Sequence, residues 1–242
     1  SESTLPVWSA RDGYPGNPNY REFHRDLGWD LTIENLKKIG LKEKRPLGIK
    51  LYKISSKDTS LGNKEQYDPE VAQKNVEKDA ENYLKARKKQ LLKLENSMQI
   101  EPLLIAPFDA ELFGHWWFEG PKFLSQLFIK SEKEGIKLIT LKEALQSKAQ
   151  IQLCNPSPSS WGQGGFHNYW LNDANAWIVS QWSKAGREMI NICTRGIKKE
   201  SDIKIIKQAG RELLLCQSSD WSFILKADTT TELARERINL HL

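Results

Sequence analysis

No apolar run in the 242 residues approaches the roughly eighteen that a membrane-crossing helix needs. The start of the chain does not read as a signal peptide either. Cysteine is scarce. Cys154, Cys193 and Cys216 are an odd set without metal-ligand spacing, which predicts reduced thiols serving as packing residues in a cytoplasmic protein. The four histidines, His24, His115, His167 and His241, have no ligand spacing, so neither a metal nor another cofactor is called for. A basic patch interleaved with stacking aromatics is also missing, which argues against a nucleic-acid partner. The formal net charge of +5 comes largely from helices in which Glu and Lys alternate, as between Lys74 and Lys93, and such a face is solvated.

Aromatic residues, by contrast, gather beside carboxylates in residues 102–120, PLLIAPFDAELFGHWWFEG. The short apolar run 103–106 suits a strand buried on both faces, and Pro107 ends it. Asp109 and Glu111 then fall where the chain leaves the strand, the end at which α/β barrels build their active sites. His115, Trp116, Trp117 and Phe118 follow at once. Sugars present hydroxyls to polar groups and flat C–H faces to rings, so carboxylates among aromatics suit a carbohydrate. The same rings are equally compatible with a plain core.

The rest of the chain supplies the frame. Residues 11–20, dense in Gly, Pro and Asn, read as a loop. Residues 48–54 alternate apolar and polar, as a strand does. Asp68, Pro69 and Glu70 give an N-cap, a proline at the first helical position and an acid in the first turn. The helix they open carries Ala72, Val76, Ala80, Tyr83, Leu84, Leu91, Leu94 and Met98 on one face. Strand, helix and the strand at 103–106 together predict a βαβ crossover. Gly120 and Pro121 start another helix with Phe123, Leu124, Leu127 and Phe128 inward, Gly135 ends it, and 136–139 is a further strand. Thr140 and Glu143 have capping-box spacing.

Strands stop beyond Asn155. Asp173 is placed to cap a helix whose seam is Ile178, Trp182, Ala185, Met189 and Ile192, with Gly196 at its end. Two more helices are expected, from about Asp202 and after Thr231. The expected fold class is therefore α/β: residues 1–150 form the C-terminal part of an incomplete (β/α) barrel, followed by an all-helical domain over residues 151–242.

The segment APFDAELFGHWWFEG, residues 106–120, resembles the fourth sequence region of glycoside hydrolase family 57, in its 1,4-α-glucan branching enzyme group. PSPSSWGQGGFHNYWLND, residues 156–173, looks like the family's fifth region, and VWSARDGYPGNPNYREFHRDLGWDL, residues 7–31, is a third match. The resemblance covers essentially the whole chain but only part of the family's catalytic unit. The family's early histidine motif and nucleophilic glutamate have no counterpart before Ser1, so the chain is expected to be a C-terminal fragment or a separately encoded piece, inactive alone, whose partner is the missing N-terminal half.

What the resemblance implies is a retaining transglycosidase that makes α-1,6 branches in an α-1,4-glucan. Retention requires two carboxyl groups about 5 to 5.5 Å apart. The resemblance assigns the general acid/base to Asp109, and the chemistry agrees, because flanking Phe108, Phe113, Trp116 and Trp117 are suited to exclude water around it. Glu111 is expected to bind sugar hydroxyls or hold Asp109, and a purely structural Glu111 is an equal alternative. His115 and Trp116 fall in the same motif as substrate contacts. Glu119 or Glu22 could replace the nucleophile only through a new geometry. Trp161 and Trp170, in a Gly-rich segment suited to close approach of a ligand, are implied to line the glucan groove from the helical domain. Trp29 is either substrate-facing or an anchor for the following helix, and Asp220 with Trp221 is either near substrate or a helix cap and a core ring. Alternatives are an α-amylase or 4-α-glucanotransferase of the same family, or a noncatalytic glucan-binding remnant. A polysaccharide deacetylase would need the metal-binding histidines that the chain lacks.

Overall fold

The computed structural model describes residues 3–98, 101–147, 153–160, 162–196 and 199–242. Its helices are α1 (Leu5–Trp8), α2 (Leu27–Asp30), α3 (Ile33–Lys38), α4 (Pro69–Met98), α5 (Gly120–Ser131), α6 (Leu141–Gln146), α7 (Ala176–Thr194), α8 (Glu200–Cys216), α9 (Ser219–Ala227) and α10 (Thr231–His241). The chain divides into two compact units, Ser1–Gln152 and Leu153–Leu242.

The first unit is built on α4. Asp68 Oδ1 accepts the N–H groups of Glu70 (2.9 Å) and Val71 (3.1 Å), which satisfies donors that the first turn leaves free. Ala72, Val76 and Ala80 recur every four residues, so they share one face, and α5 packs on it through the fully buried Phe123 and Leu127. Tyr83, Leu84, Trp117, Tyr20 and Val7 complete this core. Polar groups of α4 hold the loop before it: Asp79 Oδ2 accepts from Tyr20 Oη (2.7 Å) and Asn17 Nδ2 (2.9 Å), and Asn82 Oδ1 accepts from Tyr14 Oη (2.7 Å). Phe128 differs from its expected inward position; it is 68% exposed, together with its neighbour Ile129. The capping box of Thr140 and Glu143 forms at α6.

No β-sheet forms among the described residues, only two isolated antiparallel bridges, Arg21 to Lys53 and Tyr52 to Gln66. Three expected strands are corrected by this. Residues 48–54 are laced antiparallel to two loop segments: the Glu22 and Ile54 N–H groups bond Tyr52 O (2.9 Å) and Tyr20 O (2.8 Å), while those of Lys53 and Tyr67 bond Glu65 O (2.9 Å) and Leu51 O (3.0 Å). Among the described residues no ladder joins them to 103–106, so the expected crossover does not form there. Residues 103–106 and 136–139 have no ladder partner among the described residues. Along 103–106 exposure alternates: Leu103 and Ile105 are 47% and 60% exposed, and Leu104 and Ala106 are half-buried. An apolar run becomes a buried strand only where neighbours on its edges supply hydrogen bonds. The described fold is helical, and the barrel is not formed by these residues.

In the second unit α7 packs on α8, and α10 on α8 and α9. Its core is Ile178, Cys216, Leu225, Ala234 and Ile238, flanked by Trp177, Trp182 and Trp221. Helix α7 starts at Ala176 with Asn175 at its N-cap position rather than Asp173. Its seam is buried at Ile178, half-buried at Trp182, Ala185 and Met189, and open at Ile192. Cys216 is the packing thiol, its Sγ accepting from Trp182 Nε1 (3.0 Å), whereas Cys154 and Cys193 are exposed rather than packed.

Candidate active site

Asp109 stands at the entrance to a wide turn. Its Oδ1 accepts the Glu111 N–H (2.9 Å), and the chain then makes a π-helical turn, Leu112–Trp116, closed by the Trp117 N–H on Leu112 O (2.8 Å). Such turns are rare and concentrate at functional sites, because the extra residue re-aims side chains. Here it sorts the aromatics. Phe108, Phe113 and Trp117 turn into the core, where Phe113 lies 5.6 Å from Phe108 and 5.7 Å from Trp117. These three are core rings, and Asp109 beside them in sequence is half-buried. Glu111, His115 and Trp116 face outward, and His115 Nε2 lies 3.1 Å from Glu111 Oε1, one helical turn apart.

Trp116 is 48% exposed and packs on Phe23, centroid to centroid 4.6 Å. Phe23 comes from a segment held by two buried carboxylates. Glu22 Oε1 accepts the His24 N–H (2.8 Å), and its Oε2 lies 3.4 Å from Lys64 Nζ, which also donates to Ile54 O (2.6 Å) and Ser56 O (3.0 Å). Asp26, 1% exposed, accepts the N–H groups of Gly28 (2.8 Å), Leu47 (2.8 Å) and Gly48 (2.9 Å) and pairs with Lys50 Nζ (3.2 Å). Burial by itself would raise the Asp26 pKa, but the Leu47 and Gly28 donors and the Lys50 ammonium outweigh it and hold the group below its ordinary value. The Asp26 cap positions α2 and so Trp29, which is 49% exposed and whose carbonyl accepts from Lys44 Nζ (2.7 Å). A side chain at Gly28 would place its Cβ 1.9 Å from Arg45 O, so only glycine fits this turn.

The two candidate substitute nucleophiles are both committed inward. Glu22 holds the Phe23 segment, and Glu119 is 2% exposed, its Oε1 accepting from Tyr67 Oη (2.9 Å) and the Arg21 N–H (3.0 Å). Glu119 Oε2 is buried without a partner. Burial raises the Glu119 pKa against the opposing pull of those two donors.

The second unit carries the other expected contacts. Trp161 lies outside the described residues. Trp170 is half-buried, and a Cβ at Gly162 would fall 2.8 Å from its Cζ3, so glycine lets the loop close over the indole. Asn175, which no local pattern singles out, ties this loop to α9: its Nδ2 donates to Tyr169 O (3.0 Å) and Ser222 O (3.1 Å), and its Oδ1 accepts the Asn172 N–H (2.8 Å). Asp220 is exposed in the first turn of α9 and accepts from Ser218 Oγ (2.6 Å), and Trp221 Nε1 donates to Leu215 O (2.8 Å). Among the described residues no cluster of His, Cys, Asp and Glu could hold a metal ion.

Comparison with solved structures defines the class of fold. Nearly the whole chain superposes on part of the α-amylase AmyC from Thermotoga maritima (TM-score 0.77, 38% identity, 99% of this chain, 45% of that one). It superposes equally on part of the GH57-type branching enzyme from Pyrococcus horikoshii (TM-score 0.77, 33% identity, 100% and 42%). A 1,4-alpha-glucan branching enzyme of Thermococcus kodakarensis is 33% identical over 99% of this chain and 33% of its own length. A probable 1,4-alpha-glucan branching enzyme of Mycobacterium tuberculosis is 28% identical over 97% and 43%. The family model of the branching enzyme C-terminal region matches residues 181–242. Nearly the whole chain is thus similar to the C-terminal part of family 57 branching enzymes, and it spans about a third to two fifths of the curated relatives' length.

Proposed function

We propose that this chain is the C-terminal portion of a retaining 1,4-α-glucan branching enzyme and supplies its general acid/base. The observation that carries the reading is Asp109, half-buried at the mouth of a π-helical turn that sends Glu111, His115 and Trp116 outward beside it. In a double displacement Asp109 gives its proton to the 4-oxygen of the departing glucan as a nucleophilic carboxylate bonds C1. It then takes the proton of a 6-hydroxyl that attacks the same carbon and displaces the nucleophilic carboxylate from it. The nucleophile belongs to a complementary N-terminal portion, since Glu22 and Glu119 are spent on internal bonds. That portion also supplies the strands beside 103–106 and 136–139, so that residues 1–150 complete a (β/α) barrel, while Trp161, Trp170 and Asp220 of residues 151–242 contact glucan. Open apolar positions such as Leu103, Ile105 and Leu138 support this, because an unpaired apolar segment invites a partner strand. Reduced thiols fit a cytoplasmic setting.

Hydrolysis is the second reading, favoured by the 38% identity to an α-amylase structure. Product analysis on amylose separates them. Branching yields chains that a 1,6-specific debranching enzyme releases, with few new reducing ends. Reducing ends without such chains would replace branching with hydrolysis.

A further inference from the structure

Phe23 lies outside the aromatic motif, yet the structure brings it there. Its ring sits 4.6 Å from Trp116 at an interplanar angle of 33°. His24 meets Phe23 edge-on at 5.2 Å, and His115 lies 5.5 Å from Trp116 at 41°, so four rings follow one another in the order His24, Phe23, Trp116, His115. Trp116, His24 and His115 are exposed, and Phe23 is half-buried between its neighbours. The row is held stiffly: Glu22 and Asp26, at 7% and 1% exposure, bracket Phe23 and His24 and are saturated by backbone N–H groups and by Lys64 and Lys50. Burying two carboxylates around two residues that face solvent is costly in free energy, and it makes sense where a fixed outward surface is required.

The row suits a neutral ligand. Lys50 Nζ, 5.6 Å from the Phe23 ring, is paired with Asp26, and the exposed acid Glu111 is paired with His115. A string of pyranose rings offers what such a surface takes, flat C–H faces for the rings and hydroxyls for the Glu111–His115 pair at one end.

We propose that Phe23 and Trp116 form one sugar-stacking platform for an α-glucan chain beside Asp109, with Phe23 the ring that fixes Trp116 and extends the surface towards His24. This rests on the α-glucan reading above. The test is titration of the purified 242-residue chain with maltoheptaose, with melting temperature measured in parallel. Phe23→Ala and Trp116→Ala should each weaken binding by about tenfold, the scale of an aromatic contact. Phe23→Leu, which fills the volume without a ring, should keep the melting temperature and still lose affinity. Phe23→Tyr should restore it to within about twofold of the parent. Phe128→Ala, on the exposed face of α5, should change nothing. Wild-type affinity in folded Phe23→Leu, while Trp116→Ala loses it, overturns the role of Phe23 and leaves the α-glucan reading standing. A folded parent chain that does not bind maltoheptaose overturns both.

Discussion

Asp109 and Glu119 are ten residues apart and sit in opposite surroundings. Asp109 stays half-buried with one backbone donor, while Glu119 is enclosed with one oxygen unpartnered. In the chain completed by its N-terminal portion, Asp109→Asn should leave maltoheptaose affinity within about twofold and lower turnover by about 10²- to 10⁴-fold. Turnover near the parent's would remove the assignment. For Glu119 the linkage sign follows from its raised pKa. A carboxyl group whose folded pKa lies above its unfolded value contributes stability that is complete below the unfolded pKa and is lost as pH rises through the folded one. Glu119→Gln cannot ionise and escapes that loss, so its melting temperature relative to the parent should rise between pH 4.5 and pH 8. A difference that stays flat or falls over that window would contradict the assigned burial effect. Asp26 has the reverse sign, stabilising above the ordinary carboxylate pKa and losing its effect as pH falls through its depressed folded pKa.

At the scale of elements, α4 and α5 carry the first unit. Phe123 is fully buried between Tyr14, Tyr83 and Trp117, with ring centroids 5.5, 5.9 and 5.0 Å away. Phe123→Ala should therefore cost about 3–5 kcal/mol in denaturant unfolding, whereas Phe128→Ala should cost under about 0.5 kcal/mol. Equal costs would place the inward face of α5 wrongly. The helices were legible because their signals are local: Asp68 before Pro69, and Thr140 three residues before Glu143. Strands were not, since alternation over 48–54 names a buried face without naming the partner, which proved to be two antiparallel loop segments. The same limit applies to the site. The outward motif residues Glu111, His115 and Trp116 could be read from one stretch, but Phe23, Asp26 and Asn175 act through contacts across dozens of residues of chain or through backbone donors. The turn that divides core rings from outward ones has no periodic signature at all.

For the molecule as a whole, two units that match less than half of each solved relative leave an unfinished account of catalysis. Residues 103–106 and 136–139 have no ladder partner among the described residues, and Leu103, Ile105, Leu138 and Ile139 are open. Exposed segments of this kind aggregate or pair with a complementary chain. In the proposed reading Asp109 is one carboxylate of two, and one alone cannot run a double displacement. The most direct measurement is branching of amylose by the purified 242-residue chain, alone and after co-expression with the N-terminal portion of a family 57 branching enzyme. The account predicts no 1,6-linkages from the chain alone and their appearance with the complementary portion. A monomeric chain that forms 1,6-branches unaided would contradict it and would make Glu22 or Glu119 the second carboxylate.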